Sequence, residues 1–113
     1  GVRFVKGLQG HDEACLKAAA CAKHFAVHSG PEDLRHQFDA QVSRQDLYET
    51  YLPAFKACVT EGHVEAVMGA YNRTNGMPCC GNRELVKRFT KAYPDAFHPP
   101  CHPVRPLKGK KTG

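Results

Sequence analysis

KHFAVHSGPEDLRH, Lys23 to His36, carries an apolar segment into a Ser-Gly-Pro loop, and its reading decides the fold. The segment it closes, AAACAKHFAV (Ala18–Val27), has enough alanine to tolerate a helix. Its short length and abrupt stop favour a buried strand instead. A second apolar segment, VEAVMGA at 64–70, closes in the same manner on MGAYN, Met68 to Asn72. Strand ends that carry polar groups are the makings of an active-site rim in an α/β protein.

Between the two lies the clearest helix. Ser43 followed by Asp46 has capping-box spacing, with Asp in place of the usual Glu or Gln. Leu47, Tyr51, Ala54, Phe55, Cys58 and Val59 then recur at three- and four-residue intervals, which predicts a helix to about Glu61 with Gly62 as its stop. Pro53 falls inside that span and predicts a kink or a restart. Residues 1–9 fit the last turns of a helix ending at Gly10, residues 12–17 look amphipathic or turn-like, and residues 29–41 form a loop with one helical turn after Pro31. YNRTNG has turn chemistry, and Asn82 is placed to cap a helix through about Tyr93. A helix joining two buried strands is a crossover, and crossovers belong to parallel sheets. Two such strands leave their outer edges unpaired, open to self-association or to complementation by another chain.

At 113 residues the chain has the size of one small domain, and 42% hydrophobic with 24% charged residues is a globular composition. No apolar run reaches the roughly 20 residues needed to span a bilayer, so no membrane partner is expected. The first ten residues, GVRFVKGLQG, lack the apolar core of a signal peptide, and Gly at position 1 suggests a processed or excised piece. The net charge of +5 is lopsided: residues 1–86 hold nine basic and ten acidic groups, whereas residues 87–113 hold seven basic groups and only Asp95. A basic tail alone, beside a body with alternating charge and no basic-aromatic interleaving, does not predict a nucleic-acid partner. Of the six cysteines, Cys15, Cys21 and Cys58 are expected as small buried hydrophobes and free thiols.

Lys23 and His24 are adjacent, and at a bent strand end both can reach one site. Two donor-rich side chains suit a ligand with several hydroxyls. Tyr71 adds a phenol and a ring face, and Met68 an apolar wall. The plain alternative is that Lys23 is a solvated strand end and His24 a packing residue. Glu32 and Asp33, before Arg35 and His36, fit a local ion-pair network. No two carboxylates are singled out as the flanking pair that glycosidic hydrolysis requires. His24, His28, His36, Cys79, Cys80, Cys101 and His102 supply metal-ligating atoms, yet none sits in a compact motif such as HExxH, and no metal or cofactor is expected.

Four stretches carry a resemblance: GLQG (Gly7–Gly10), ACAKHFAVHSGPEDLRHQFDA (Ala20–Ala40), DLYETYLPAFKACV (Asp46–Val59) and VMGAYNRTNGMPCCGN (Val67–Asn82). Together they resemble the middle of the N-terminal barrel domain of glycoside hydrolase family 3, the β-glucosidases and β-xylosidases, and look most like its bacterial members. The resemblance implies an incomplete fragment of a TIM-type (β/α)8 barrel over residues 1–93, with an irregular basic tail over 94–113. It implies that Lys23 and His24 hydrogen-bond hydroxyls of a bound sugar, that Tyr71 sits near the anomeric carbon, and that Met68 lines the pocket. Arg35 and His36 would shape its rim. The implied partner is a β-linked gluco- or xylo-oligosaccharide or glycoside, hydrolysed with retention by an Asp nucleophile and a separate acid/base. Here the chain departs from the family. Relatives reach a strand ending in Ser-Asp, whereas this sequence runs ELVKRFTKAYPDAFHPP into a proline-lysine tail and contains no Ser-Asp pair. The expectation is therefore a fragment inactive alone, the alternatives being a non-catalytic carbohydrate-binding module or one piece of a split barrel.

Overall fold

Val2–Gln9 forms helix α1 in the computed structural model, which describes residues 1–92. Gly10 ends α1 with φ 78°, a left-handed conformation that glycine adopts without a Cβ penalty, and its N–H returns to the Lys6 carbonyl. Residues 12–17 are irregular, as expected. Strand β1 (Cys21–Phe25), strand β2 (Asp39–Ala40) and helix α2 (Arg44–Asp46) follow. A π-helical turn over Leu47–Tyr51 then leads into α3 (Leu52–Thr60). The chain continues as β3 (Ala66–Gly69), β4 (Arg73–Thr74), β5 (Met77–Pro78) and α4 (Arg83–Ala92).

The two expected strands pair with each other, in parallel, with the helical segment crossing between them. Strand β1 is shorter than the apolar run Ala18–Val27 that announced it. Ser43 caps α2, its hydroxyl accepting from the Asp46 N–H at 3.0 Å. Pro53 has the effect its chemistry predicts. Without an N–H it cannot continue a regular ladder, and the helix passes through the π turn before restarting with Pro53 in its first turn. The far end departs in detail from expectation. His63, with φ 52°, takes the left-handed position, while a Cβ on Gly62 would lie 2.6 Å from the Cys58 carbonyl oxygen. Gly62 is needed for close approach rather than for an unusual φ.

A second sheet is the main correction to the sequence reading, which found only two strands. Strands β2, β4 and β5 form a three-stranded sheet, with β2–β4 parallel and β4–β5 antiparallel. Asn75 (φ 49°) and Gly76 (φ 80°) make the two-residue link of the β4–β5 hairpin, both with the positive φ that a type I′ turn demands. Asn75 also locks the hairpin onto the chain entering α2, accepting from the Val42 N–H at 2.9 Å and donating to the Val42 carbonyl at 2.8 Å.

The core lies between β1–β3 and the helices. Phe25, Val27, Leu47, Val59, Val67 and Leu85 are buried in it. The ring of Phe25 meets Phe55 of α3 edge-on with centroids 5.1 Å apart, a geometry worth about 0.5–1.5 kcal/mol beyond burial. Cys15 and Cys21 are exposed, against expectation, whereas Cys58 is half-buried and packs against the core. For Cys15 and Cys21 the apolar neighbourhood in sequence is not matched by burial in space. Residues 94–113, the expected basic tail, lie outside the described residues.

Candidate active site

The carboxyl ends of β1 and β3 are where the chemistry-bearing residues gather. Register places Cys21 beside Ala66, Ala22 beside Val67, and Lys23 beside Met68, then slips so that Phe25 faces Gly69. The slip falls on His24. A regular strand would send Lys23 and His24 to opposite faces, and the irregularity breaks that alternation at these two residues. The Lys23–His24 and Phe25–Ala26 peptide bonds are cis. Lys23 is exposed, and His24 and Met68 are half-buried.

Backbone and side-chain bonds then tie the two exits together. The Ala70 N–H donates to the Phe25 carbonyl at 2.7 Å, and the Arg73 N–H donates to the Phe38 carbonyl at 3.0 Å. Between them the Asn72 carboxamide donates to the Val27 carbonyl at 2.7 Å. The 3-10 turn Glu32–Leu34 brings Arg35 and His36 back over this end. Arg35 forms an ion pair with Glu32 and donates from Nε to His36 Nε2 at 3.2 Å. The His36 imidazole in turn lies 4.9 Å from the exposed Tyr71 ring, centroid to centroid. Of the expected local ion-pair network the Arg35–Glu32 pair is present, with Arg35 also hydrogen-bonded to His36.

His24 has His28 as its nearest ring neighbour, at 4.3 Å. Burial pushes the His24 pKa below its ordinary value, reinforced by the nearby charges of His28, Lys23 and Arg35 and opposed by Glu32. His24 is therefore a neutral imidazole at neutral pH, with one nitrogen to donate and one to accept. Lys23 donates only. The pair matches a hydroxyl-bearing ligand, since each hydroxyl both donates and accepts.

Two members of this end escaped the sequence reading as site residues: Asn72 and His28. In the sequence the first is only the end of a polar cluster and the second only one of several metal-ligating side chains. The four-residue spacing of His24 and His28 was the one available signal. Among the described residues, no group of three or more His, Cys, Asp or Glu side chains is arranged to hold a metal ion.

The sequence of residues 1–92 matches the model of the glycosyl hydrolase family 3 N terminal domain. The chain belongs to glycosyl hydrolase family 3. Xylan 1,4-beta-xylosidase of Xylanibacter ruminicola is 50% identical over 93 residues, an alignment covering 80% of this chain and 11% of that protein. Beta-xylosidase/alpha-L-arabinofuranosidase 1 of Medicago sativa subsp. varia is 46% identical over 90 residues, covering 74% of this chain and 12% of the relative. Among solved structures, a family 3 exo-beta-xylosidase (XlnD) in complex with a xylobiose aziridine activity-based probe superposes with a TM-score of 0.72 at 32% identity. That match covers 80% of this chain and 12% of the other. Beta-glucosidase 3B of Thermotoga neapolitana in complex with alpha-D-glucose gives a TM-score of 0.61 at 34% identity, over 68% of this chain and 11% of that one. The family 3 segment described here thus spans about one-eighth or less of the length of these relatives.

Proposed function

We propose that residues 1–92 form one sector of a (β/α)8 barrel and contribute a sugar-binding subsite of a retaining β-glycosidase, with β-xylosyl groups as the preferred substrate. The parallel β1–β3 pair carries this reading, because it brings Lys23 beside Met68 with His24 and the His36–Tyr71 contact at the same carboxyl end. Active sites of barrels sit at that end of their strands. Lys23 and neutral His24 hydrogen-bond sugar hydroxyls, Met68 and the Tyr71 ring supply apolar wall, and Arg35 with His36 shapes the rim. The xylosyl preference rests on the names of the relatives, which are xylosidases at 46–50% identity, and on the xylobiose-probe complex.

Retaining hydrolysis needs a carboxylate nucleophile and a second carboxyl as acid/base, about 5–5.5 Å apart. Two acids near this site have other engagements: Glu32 pairs with Arg35, and Asp39 accepts from Gln41 and from the Gly76 N–H. No Ser-Asp pair occurs in the sequence. The 113-residue chain by itself is accordingly a binder of sugar and not a hydrolase. Donors without a positioned nucleophile provide no covalent catalysis. A second reading, one piece of a split barrel, is favoured by the β1–β3 sheet having only two strands among the described residues.

The test is a chimera. Residues 1–92 replace the matching segment of the Xylanibacter ruminicola xylosidase, and release of p-nitrophenol from its β-D-xyloside is measured. Activity is expected in the chimera, and Lys23→Ala should lower its kcat/KM by roughly ten- to hundredfold. A folded chimera indifferent to Lys23→Ala would sink the sugar-binding assignment. The 113-residue chain alone should release nothing. Turnover by it that vanishes in Lys23→Ala would overturn the claim of inactivity.

A further inference from the structure

Asn72 is 1% exposed, follows Tyr71 directly, and has no part in the contacts assigned to sugar. Its carboxamide nitrogen donates to the Val27 carbonyl at 2.7 Å, across 45 positions of sequence, and to the Arg73 carbonyl at 2.8 Å. Both donors are thus committed to backbone, while the carboxamide oxygen has no hydrogen-bond partner among the described residues. Burying an acceptor in that state is a cost to the fold. A side chain retained at such a cost is held for the geometry its donors impose.

We infer that Asn72 is a positioning residue that holds Tyr71 against His36 by clamping the chain leaving β3 to the chain leaving β1. Backbone bonds fix the register on either side, from Ala70 to Phe25 and from Arg73 to Phe38. Tyr71 stands between those anchors, and its own side chain is 54% exposed. The Asn72 side chain is the buried link next to it. Through Val27 the same link reaches the residue before His28, whose ring meets His24. A single carboxamide therefore couples both ring contacts of this end. The value of that coupling for sugar binding rests on the function proposed above, whereas the coupling itself does not.

The experiment is NMR on the full chain, following the His36 imidazole resonance, which feels the ring current of Tyr71. Tyr71→Leu defines its value without the ring. Asn72→Ala should move the resonance most of the way to that value while the amide spectrum stays dispersed. Thr74→Val, at an equally buried polar position of the neighbouring strand, should leave it in place. A folded Asn72→Ala protein with an unmoved His36 resonance overturns the inference. Asn72→Asp keeps the shape and removes both donors, so it should repeat the Ala result. Collapse of both variants to unfolded spectra would assign Asn72 to the fold as a whole and likewise overturn it. Titration with xylobiose separates the two readings. Wild type should show shifts at His24 and Tyr71, weakened about tenfold in Asn72→Ala. Absence of shifts in wild type defeats the sugar reading, and the His36 resonance still decides the role of Asn72.

Discussion

The imidazole of His24 lies 4.3 Å from that of His28, tilted by 45°, at the exit of β1. Burial of His24 disfavours its protonated form, and the His28 ring so close by adds to the effect. His24 should therefore titrate below the ordinary histidine value of about 6.5 in an NMR titration. His28→Ala or Lys23→Met should raise its pKa, and Glu32→Gln should lower it further, because Glu32 is the one group that favours the charged ring. The effect on stability has a definite sign. The unfolded chain binds the proton more readily, so the contribution of His24 is complete above about pH 6.5 and is lost as pH falls through the lowered folded pKa. An upward shift of the His24 pKa in the folded protein would refute this.

Gln9 does at the amino ends of β1 and β3 what Asn72 does at the carboxyl ends. Its carboxamide oxygen accepts from the Ala20 N–H at 3.3 Å and the Glu65 N–H at 2.8 Å, and its nitrogen donates to the His63 carbonyl at 2.9 Å. Gln9 is 6% exposed. Gln9→Leu keeps the bulk and strands all three backbone groups. A loss of about 2–4 kcal/mol is expected, which is a large share of the stability of a small domain. Urea unfolding should show the midpoint fall with the slope unchanged. A loss under about 0.5 kcal/mol would mean that water replaces Gln9 freely.

Gly30 sits where the loop after β1 passes Phe38. A Cβ there would lie 2.5 Å from Phe38 Cζ and 2.7 and 2.8 Å from the two Cε atoms. The half-buried ring must move to admit it, and the Phe38 carbonyl is the acceptor for Arg73. Gly30→Ala should cost about 1–3 kcal/mol. In a Phe38→Leu background the same change should cost much less, which a double-mutant cycle measures directly. Equal costs in the two backgrounds would remove the ring from the explanation.

What the sequence disclosed of this fold was what is local. The Ser43 cap, the restart at Pro53 and the Asn82 cap, whose carboxamide oxygen accepts from Glu84 and Leu85 N–H, each depend on residues within four or so positions. Strands β1 and β3 were visible because each is an apolar run bounded by breakers. Strands β2, β4 and β5 have two residues each, too few for a period to show, and their pairing depends on Asn75 reaching Val42. The exposure of Cys15 and Cys21 was illegible for a similar reason, since alanine-rich surroundings in sequence do not say which face is covered. At the site, Lys23, His24, Met68 and Tyr71 are legible as donors and walls from their chemistry and from the family resemblance. The burial of Asn72 and the ring contact of His28 with His24 are tertiary properties.

Tyr71 offers two separable features, a hydroxyl and a ring face set against His36. In the xylosidase chimera, Tyr71→Phe deletes the first and keeps the second, and Tyr71→Leu deletes both. The ring is held by its neighbour whether or not the hydroxyl is present, so Phe should fold and bind with the geometry of the parent. On the proposed sugar-binding role, with the hydroxyl donating one hydrogen bond to the sugar, its kcat/KM for p-nitrophenyl β-D-xyloside should fall by about tenfold. Tyr71→Leu should fall further and lose the ring-current shift at His36. If Leu matches the parent in kcat/KM while that shift is lost, the ring contact is a feature of the fold without consequence for sugar. If Phe and Leu are impaired equally, the hydroxyl alone carries the contribution of Tyr71, and the contact with His36 serves only to aim it.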